Sequence, residues 1–281
     1  MKKLIYFLFV LLAVACDNYH TVEAPWDTEP IPVVYSILSP DTPVQVYLNQ
    51  TCSSNYSPIK NPYAEAKVFI CGPDSNWTEL TRLNPDTCVF VNAGNSFFVE
   101  KGKTYSLKVE LENITVYAQT TIPAVAAKIV AATCTYKSEE ENVFSGVRID
   151  NEWVRVNGFP LKINCNLPTD KEFGYDFSAF RNADIRLSYV INNMYESNSF
   201  PCPLDSASFM LRMYTLDPNY NKYQIERSIV EMDDLGSSPI IAIIQKFGGV
   251  LPQFSNIVNG VGLFSSYVTD STRVVIKDYP Q

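Results

Sequence analysis

Apolar and polar positions fall into three regimes along the chain. Residues 4–12 form an unbroken apolar run behind Lys2 and Lys3. A permanent membrane-spanning helix needs about 20 apolar residues, so a shorter run at the start of a chain reads as an export signal that is later removed. Residues 17–30 carry two prolines and four acidic residues without an apolar period, which predicts an extended tether. From Ile31 onward apolar residues alternate with polar ones, the period of a strand with one buried face.

The alternation predicts seven short strands before residue 123. Val33, Tyr35 and Ile37 mark the first and Val44, Val46 and Leu48 the second, with Ser39-Pro40-Asp41-Thr42-Pro43 as the turn between them. Segments 66–70, 77–83, 88–91, 105–111 and 115–121 continue the series, separated by Gly72-Pro73-Asp74, Asn84-Pro85-Asp86 and Gly102-Lys103. Strands of this length and spacing predict an immunoglobulin-like β-sandwich over 31–123. Beyond it, 129–136, 161–167, 173–177, 185–189, 240–244 and 273–276 read as strands of a second, mostly β domain over 124–281, with Glu139-Glu140-Glu141 as a solvated loop. One short helix is expected there, with Asp217 as N-cap and Pro218 at its first position, ending near residue 232, and with Tyr223, Ser228, Ile229 and Val230 turned inward. The expected fold class is therefore mainly β, an N-terminal sandwich followed by a β-rich domain with one helix.

Composition supports a globular body. Hydrophobic residues make up 46% of the chain and charged residues 19%, with 17 Tyr and 16 Phe that favour pleated, half-buried surfaces. The formal net charge is -8, and loss of Lys2 and Lys3 with the signal makes it more negative still. An acidic body repels phosphate backbones and anionic lipid surfaces, so nucleic acid is not an expected partner.

Cysteine placement adds an anchor. Ala13-Val14-Ala15 puts small residues directly before Cys16, as in the lipobox of bacterial lipoproteins, where the thiol is acylated and becomes the new N-terminus. Residues 1–16 are accordingly read as a lipoprotein signal peptide, and Cys16 as the lipidation site. Several acyl chains at one residue give stable attachment where a single chain binds reversibly. The remaining Cys52, Cys71, Cys88, Cys134, Cys165 and Cys202 are even in number in an exported chain, which predicts up to three disulfides among 15 connectivities. The pair Cys134 and Cys165 is preferred, because both lie in segments that read as strands of one sheet. No Cys-x-x-Cys occurs and His20 is the sole histidine, so neither a metal nor another cofactor is expected.

Three segments carry a family resemblance. The run Ser255-Asn256-Ile257-Val258-Asn259-Gly260-Val261-Gly262-Leu263-Phe264 is similar to a C-terminal signature of a family of Bacteroidetes outer-membrane lipoproteins catalogued as domain of unknown function 4249. Segment 62–70 resembles that family's Pro-x-x-x-Ala-x-Val-x-Ile strand, and 102–109 its Gly-x-x-Tyr-x-Leu-x-Val strand. The sequence departs from the pattern at Glu65 and in its six extra cysteines. The resemblance implies an outer-membrane lipoprotein, at the cell surface or on the periplasmic face, acting beside a TonB-dependent transporter in ligand capture or gating; it brings no activity. In the C-terminal signature, Asn256, Asn259, Gly260, Gly262 and Phe264 are expected to be structural, with Asn-Gly and Gly allowing positive φ so that Phe264 turns into the core.

Catalytic groupings are scarce. His20 lies in the tether, so no Ser-His-Asp or Cys-His pair can be drawn from the body, and Asp233-Asp234 has no second carboxylate placed for glycoside hydrolysis. A non-enzymatic role is expected. Two alternatives to the transporter accessory are a surface glycan-binding protein, against which burial of Trp77, Trp153 and the tyrosines of 214–223 all together would argue, and a fimbrial or adhesin subunit. The latter is disfavoured because the first arginine, Arg82, already lies inside the sandwich.

Overall fold

The computed structural model describes residues 30–51, 63–84, 87–92, 94, 97–136, 143–149, 152–168, 173–178, 194–201, 208–234 and 254–278, with backbone alone for 143–149, 152–160, 177–178, 194–201 and 228–234. The first seven strands are β1 (Pro32–Leu38), β2 (Gln45–Gln50), β3 (Lys67–Cys71), β4 (Trp77–Arg82), β5 (Val89–Val91), β6 (Thr104–Glu110) and β7 (Thr115–Thr121). Then come β8 (Lys128–Thr135), β9 (Val143–Ile149), β10 (Glu152–Asn166), β11 (Gly174–Ser178), β12 (Met194–Pro201), β13 (Ser208–Leu216), helix α1 (Pro218–Asp234) and β14 (Val261–Lys277). Among the described residues the chain is mainly β with one helix, and its strands join in one open, curled sheet. Among the described residues no helix is long and apolar enough to cross a membrane.

The first seven strands form where the alternation predicts, although in β1 the fully buried phase is the one opposite Val33, Tyr35 and Ile37, which are half-buried. In β1 every second residue is buried, from Pro32 through Val34 and Ser36 to Leu38, and β6 buries Tyr105, Leu107 and Val109 while turning Ser106 and Lys108 outward. The order runs β14-β1-β2-β5-β4-β3-β6-β7. Strand β4 turns the corner: its first residues pair with β3 and its last two, Thr81 and Arg82, pair with β5. Folding the sheet there lays two layers face to face, with Val34, Val46, Leu48, Val68, Ile70, Leu107, Val109 and Phe264 in the core between them. The Arg82 guanidinium fixes that corner, donating to the Thr87 carbonyl at 2.8 Å and to the Tyr63 carbonyl at 2.6 Å.

The last strand is much longer than the sequence suggests. Expected over 273–276, it runs from Val261 to Lys277. Ser265, Ser266, Thr269, Asp270, Ser271 and Thr272 break its apolar pattern, and several of them are satisfied by specific partners. The Ser266 hydroxyl donates to the Thr121 carbonyl at 3.1 Å, Thr269 donates to Asp41 at 2.6 Å, and the Asp270 carboxylate accepts from the Ile129 amide and from Lys128, each at 2.9 Å.

Strand β14 also crosses the boundary expected at residue 123. Residues 261–266 run parallel to β1, 267–275 pair antiparallel with β13, and Ile276 and Lys277 reach β8. Its even-numbered face gives Phe264 and Val268 to the first core and Val274 and Ile276 to a second one holding Cys134, Leu161, Ile163, Leu211 and Met213. Its odd-numbered face gives Leu263 and Tyr267 to a third cluster under α1, with Tyr35, Leu216, Tyr220 and Tyr223. The inward turn expected of Tyr223 is met in part, since Tyr220 is the fully buried tyrosine of the helix; Ser228, Ile229 and Val230 have no described side chains. Asp233 and Asp234 lie within the helix rather than after it. Strands expected at 185–189 and 240–244, and the loop at Glu139-Glu140-Glu141, lie outside the described residues.

Candidate functional site

The segment before β14 is a clasp made of side-chain amides. Asn256 stands in for a strand neighbour: its Oδ1 accepts from the Phe264 amide at 2.9 Å and its Nδ2 donates to the Phe264 carbonyl at 2.6 Å. Val258 exchanges two backbone hydrogen bonds with Tyr117, and Asn259 Nδ2 donates to the Thr115 carbonyl at 2.9 Å. The exposed edge of β7 is thereby covered, which removes a template for unwanted strand pairing. The positive φ values fall on Asn259 (61°) and Gly262 (125°) rather than on Gly260. Gly260 is needed for closeness instead, since a Cβ there would lie 2.9 Å from the Pro32 carbonyl oxygen, and one on Gly262 would overlap the Val34 carbonyl. Phe264 is fully buried. These five residues hold β14 on the sandwich.

A second junction was not legible as such in the sequence. Asp217, read as an N-cap, does cap α1 by accepting from the Tyr220 amide at 2.7 Å. Its other carboxylate oxygen accepts a short hydrogen bond from the Thr120 hydroxyl of β7, and its own amide donates to the Ser266 carbonyl at 2.9 Å. One fully buried carboxylate thus joins β7, β14 and α1. Burial raises its pKa above the ordinary aspartate range, while the hydrogen bonds from Thr120 and Tyr220 work in the opposite direction. With no face open to solvent, it serves as a joint between these elements.

The cysteines do not follow the expected pattern. Cys71, Cys88, Cys134 and Cys165 form no disulfide; Cys16, Cys52 and Cys202 lie outside the described residues. The preferred pair does lie in one sheet, but Cys134 is opposite Leu161 and Cys165 is opposite Ile129. Four strand positions separate them, about 13 Å, whereas a disulfide needs Cα atoms within about 7 Å. Sharing a sheet is not sharing a register position. Both are packed in the second core, where burial pushes the Cys165 thiol up to about 11.

The outer face of the first domain carries the most distinctive exposed chemistry. Register puts Glu79, Phe69, Lys108 and Tyr117 in one row across β4, β3, β6 and β7, with Val258 beyond. Trp77 stands one pleat along, paired with Cys71. Trp77 is 44% exposed, Tyr117 45% and Val258 58%. The Lys108 ammonium lies 4.5 Å from the Phe69 ring centroid and 5.2 Å from that of Trp77, and 2.8 Å from Glu110. Trp77 was singled out in the sequence. Phe69, Lys108 and Tyr117 were not, although each occupies an outward phase of its strand, where an aromatic residue is itself a signal. Trp153 has no described side chain; Tyr214 and Tyr223 are half-buried and Tyr220 is buried. Among the described residues no group of three or more His, Cys, Asp or Glu could hold a metal ion.

Comparison with known proteins gives one family match. A family model described as "Domain of unknown function (DUF4249)" matches residues 19–273. No curated protein matches the chain. Among solved structures, the crystal structure of the FN1–FN3 domains of chicken CNTN1 is similar, with a TM-score of 0.26 and 11% identity, over 67% of this chain and 60% of that one.

Proposed function

The chain belongs to the family described as domain of unknown function DUF4249, and on that premise we propose that it is a lipid-anchored outer-membrane protein that binds rather than catalyses, serving beside a TonB-dependent transporter in ligand capture or gating. The outer face of β4-β3-β6-β7 carries this reading: rigid strands there hold aromatic side chains out to solvent around Lys108. Grouped exposed apolar residues with polar neighbours mark interaction sites. Lipidation at Cys16 followed by the tether over 17–30 would hold that face near the membrane without crossing it. The test is a pull-down of the lipidated protein, tagged at its C-terminus, from detergent-solubilised outer membranes. The reading expects a TonB-dependent transporter in near-equal amount, and recovery of the protein alone would contradict it.

A second reading, a surface glycan-binding protein, is favoured by one observation. Trp77 and Tyr117 are near half-exposed on a single sheet face, as stacking on sugar rings requires.

A further inference from the structure

Deepening the binding reading above, on which it rests, we propose that the outer face of β4-β3-β6-β7 is a glycan-binding platform whose ligand is a neutral chain of pyranose rings lying across the strands over Trp77 and Tyr117, past the Lys108 side chain that covers Phe69. The argument begins with spacing. Neighbouring strands lie about 4.8 Å apart, so the three strand spacings from Trp77 on β4 to Tyr117 on β7 cover about 14 Å, the span of about three linked rings, with an aromatic residue at each end. Aromatic faces offer flat apolar area to the CH side of a sugar, while Ser106 and Gln119 on the same face supply hydroxyl and amide groups to its rim.

Charge selects a neutral ligand. The face carries Lys67 and Lys108 against Glu79 and Glu110, a balance unlike that of the chain as a whole, at -8. An anionic ligand would find Lys108 already paired with Glu110 at 2.8 Å. A cationic one would be repelled by the Lys108 ammonium, which lies beside the Phe69 and Trp77 rings. A phospholipid surface suits Trp, Tyr and Lys, but two carboxylates on the face and an acidic body oppose anionic headgroups. Uncharged hydroxyls meet none of these penalties and can accept from Lys108 or donate to Glu110.

The experiment is native affinity electrophoresis of the full lipidated chain, in zwitterionic detergent, through gels containing galactomannan, xyloglucan or mixed-linkage β-glucan, with polygalacturonate as the acidic control. At least one neutral polysaccharide should retard the protein, and Trp77→Ala and Tyr117→Ala should each weaken retardation about tenfold, the scale of losing one stacked ring face. Trp77→Phe should restore most of it. The two alanine variants lie on different strands, and their thermal midpoints separate lost binding from lost fold. Retardation by polygalacturonate alone, retardation unchanged in both alanine variants, or no retardation in any gel overturns the proposal, as does Trp77-dependent binding to anionic phospholipid vesicles in place of polysaccharide. If a transporter still copurifies with the Trp77→Ala protein while no gel retards the parent, this site fails and the transporter reading stands.

Discussion

At the scale of single residues, a few polar groups decide where β14 can lie. Asn256 meets both backbone groups of Phe264, and Gly262 occupies a backbone conformation at φ 125° pressed against Val34. Gly262→Ala should therefore cost about 2–4 kcal/mol of stability, combining strain with overlap, and Asn256→Ala about 1–3 kcal/mol by leaving buried partners unmet; urea midpoints measure both. Asp217 makes a prediction in pH. Burial raises its folded pKa above the unfolded value, so the folded state binds the extra proton. That contribution is complete below the unfolded pKa, near 3.9, and is lost as pH rises through the folded pKa. The stability advantage of the parent over Asp217→Asn should thus be largest near pH 4 and shrink toward neutrality, whereas an advantage growing with pH would show the carboxyl pKa to be lowered instead. Asparagine caps helices about as well as aspartate, which leaves ionisation as the main difference between the two proteins.

At the scale of elements, how much could be read from sequence follows how each strand is buried. Strands β2 to β7 were legible because each has one wet face, so Val44, Val46 and Leu48, or Tyr105, Leu107 and Val109, declare themselves by alternation; β1 packs on both faces, with Tyr35 and Ile37 under α1. The start of β14 was not legible, because Leu263, Phe264, Ser265 and Ser266 are all buried, with the sandwich core on one side and the third cluster on the other. A strand buried on both faces has no period of two, and its serines imitate a loop. The expected Cys134–Cys165 disulfide failed for a related reason: composition announces cysteines in strands, while register decides whether two of them meet. The clasp was legible as a motif, although φ above zero falls on Asn259 and not on Gly260. The outer aromatic row needed the strand register, since Phe69, Lys108 and Tyr117 are 39 and 9 residues apart in sequence and adjacent only after β3, β6 and β7 pair.

At the scale of the whole molecule, β14 makes the two halves depend on each other. It pairs with β1 along 261–266 and with β13 along 267–275, and gives side chains to all three apolar clusters. A fragment limited to 31–123 would expose the β1 edge and leave out Phe264 and Val268 from its core. It should fail to give a cooperative urea transition, while a fragment that folds as well as the intact chain would show the sandwich to be self-sufficient. The same dependence gives the outer face of β4-β3-β6-β7 a stiff support, because its inner face is the core that β14 completes. That face is the centre of the functional account, and hydroxyl-radical footprinting tests it most directly by comparing the protein in native outer membranes with the purified protein in detergent. The account predicts that oxidation of Trp77 and Tyr117 falls severalfold in the membranes while that of Met210, exposed on the other half, stays the same. Equal oxidation of Trp77 and Tyr117 in both settings would contradict it.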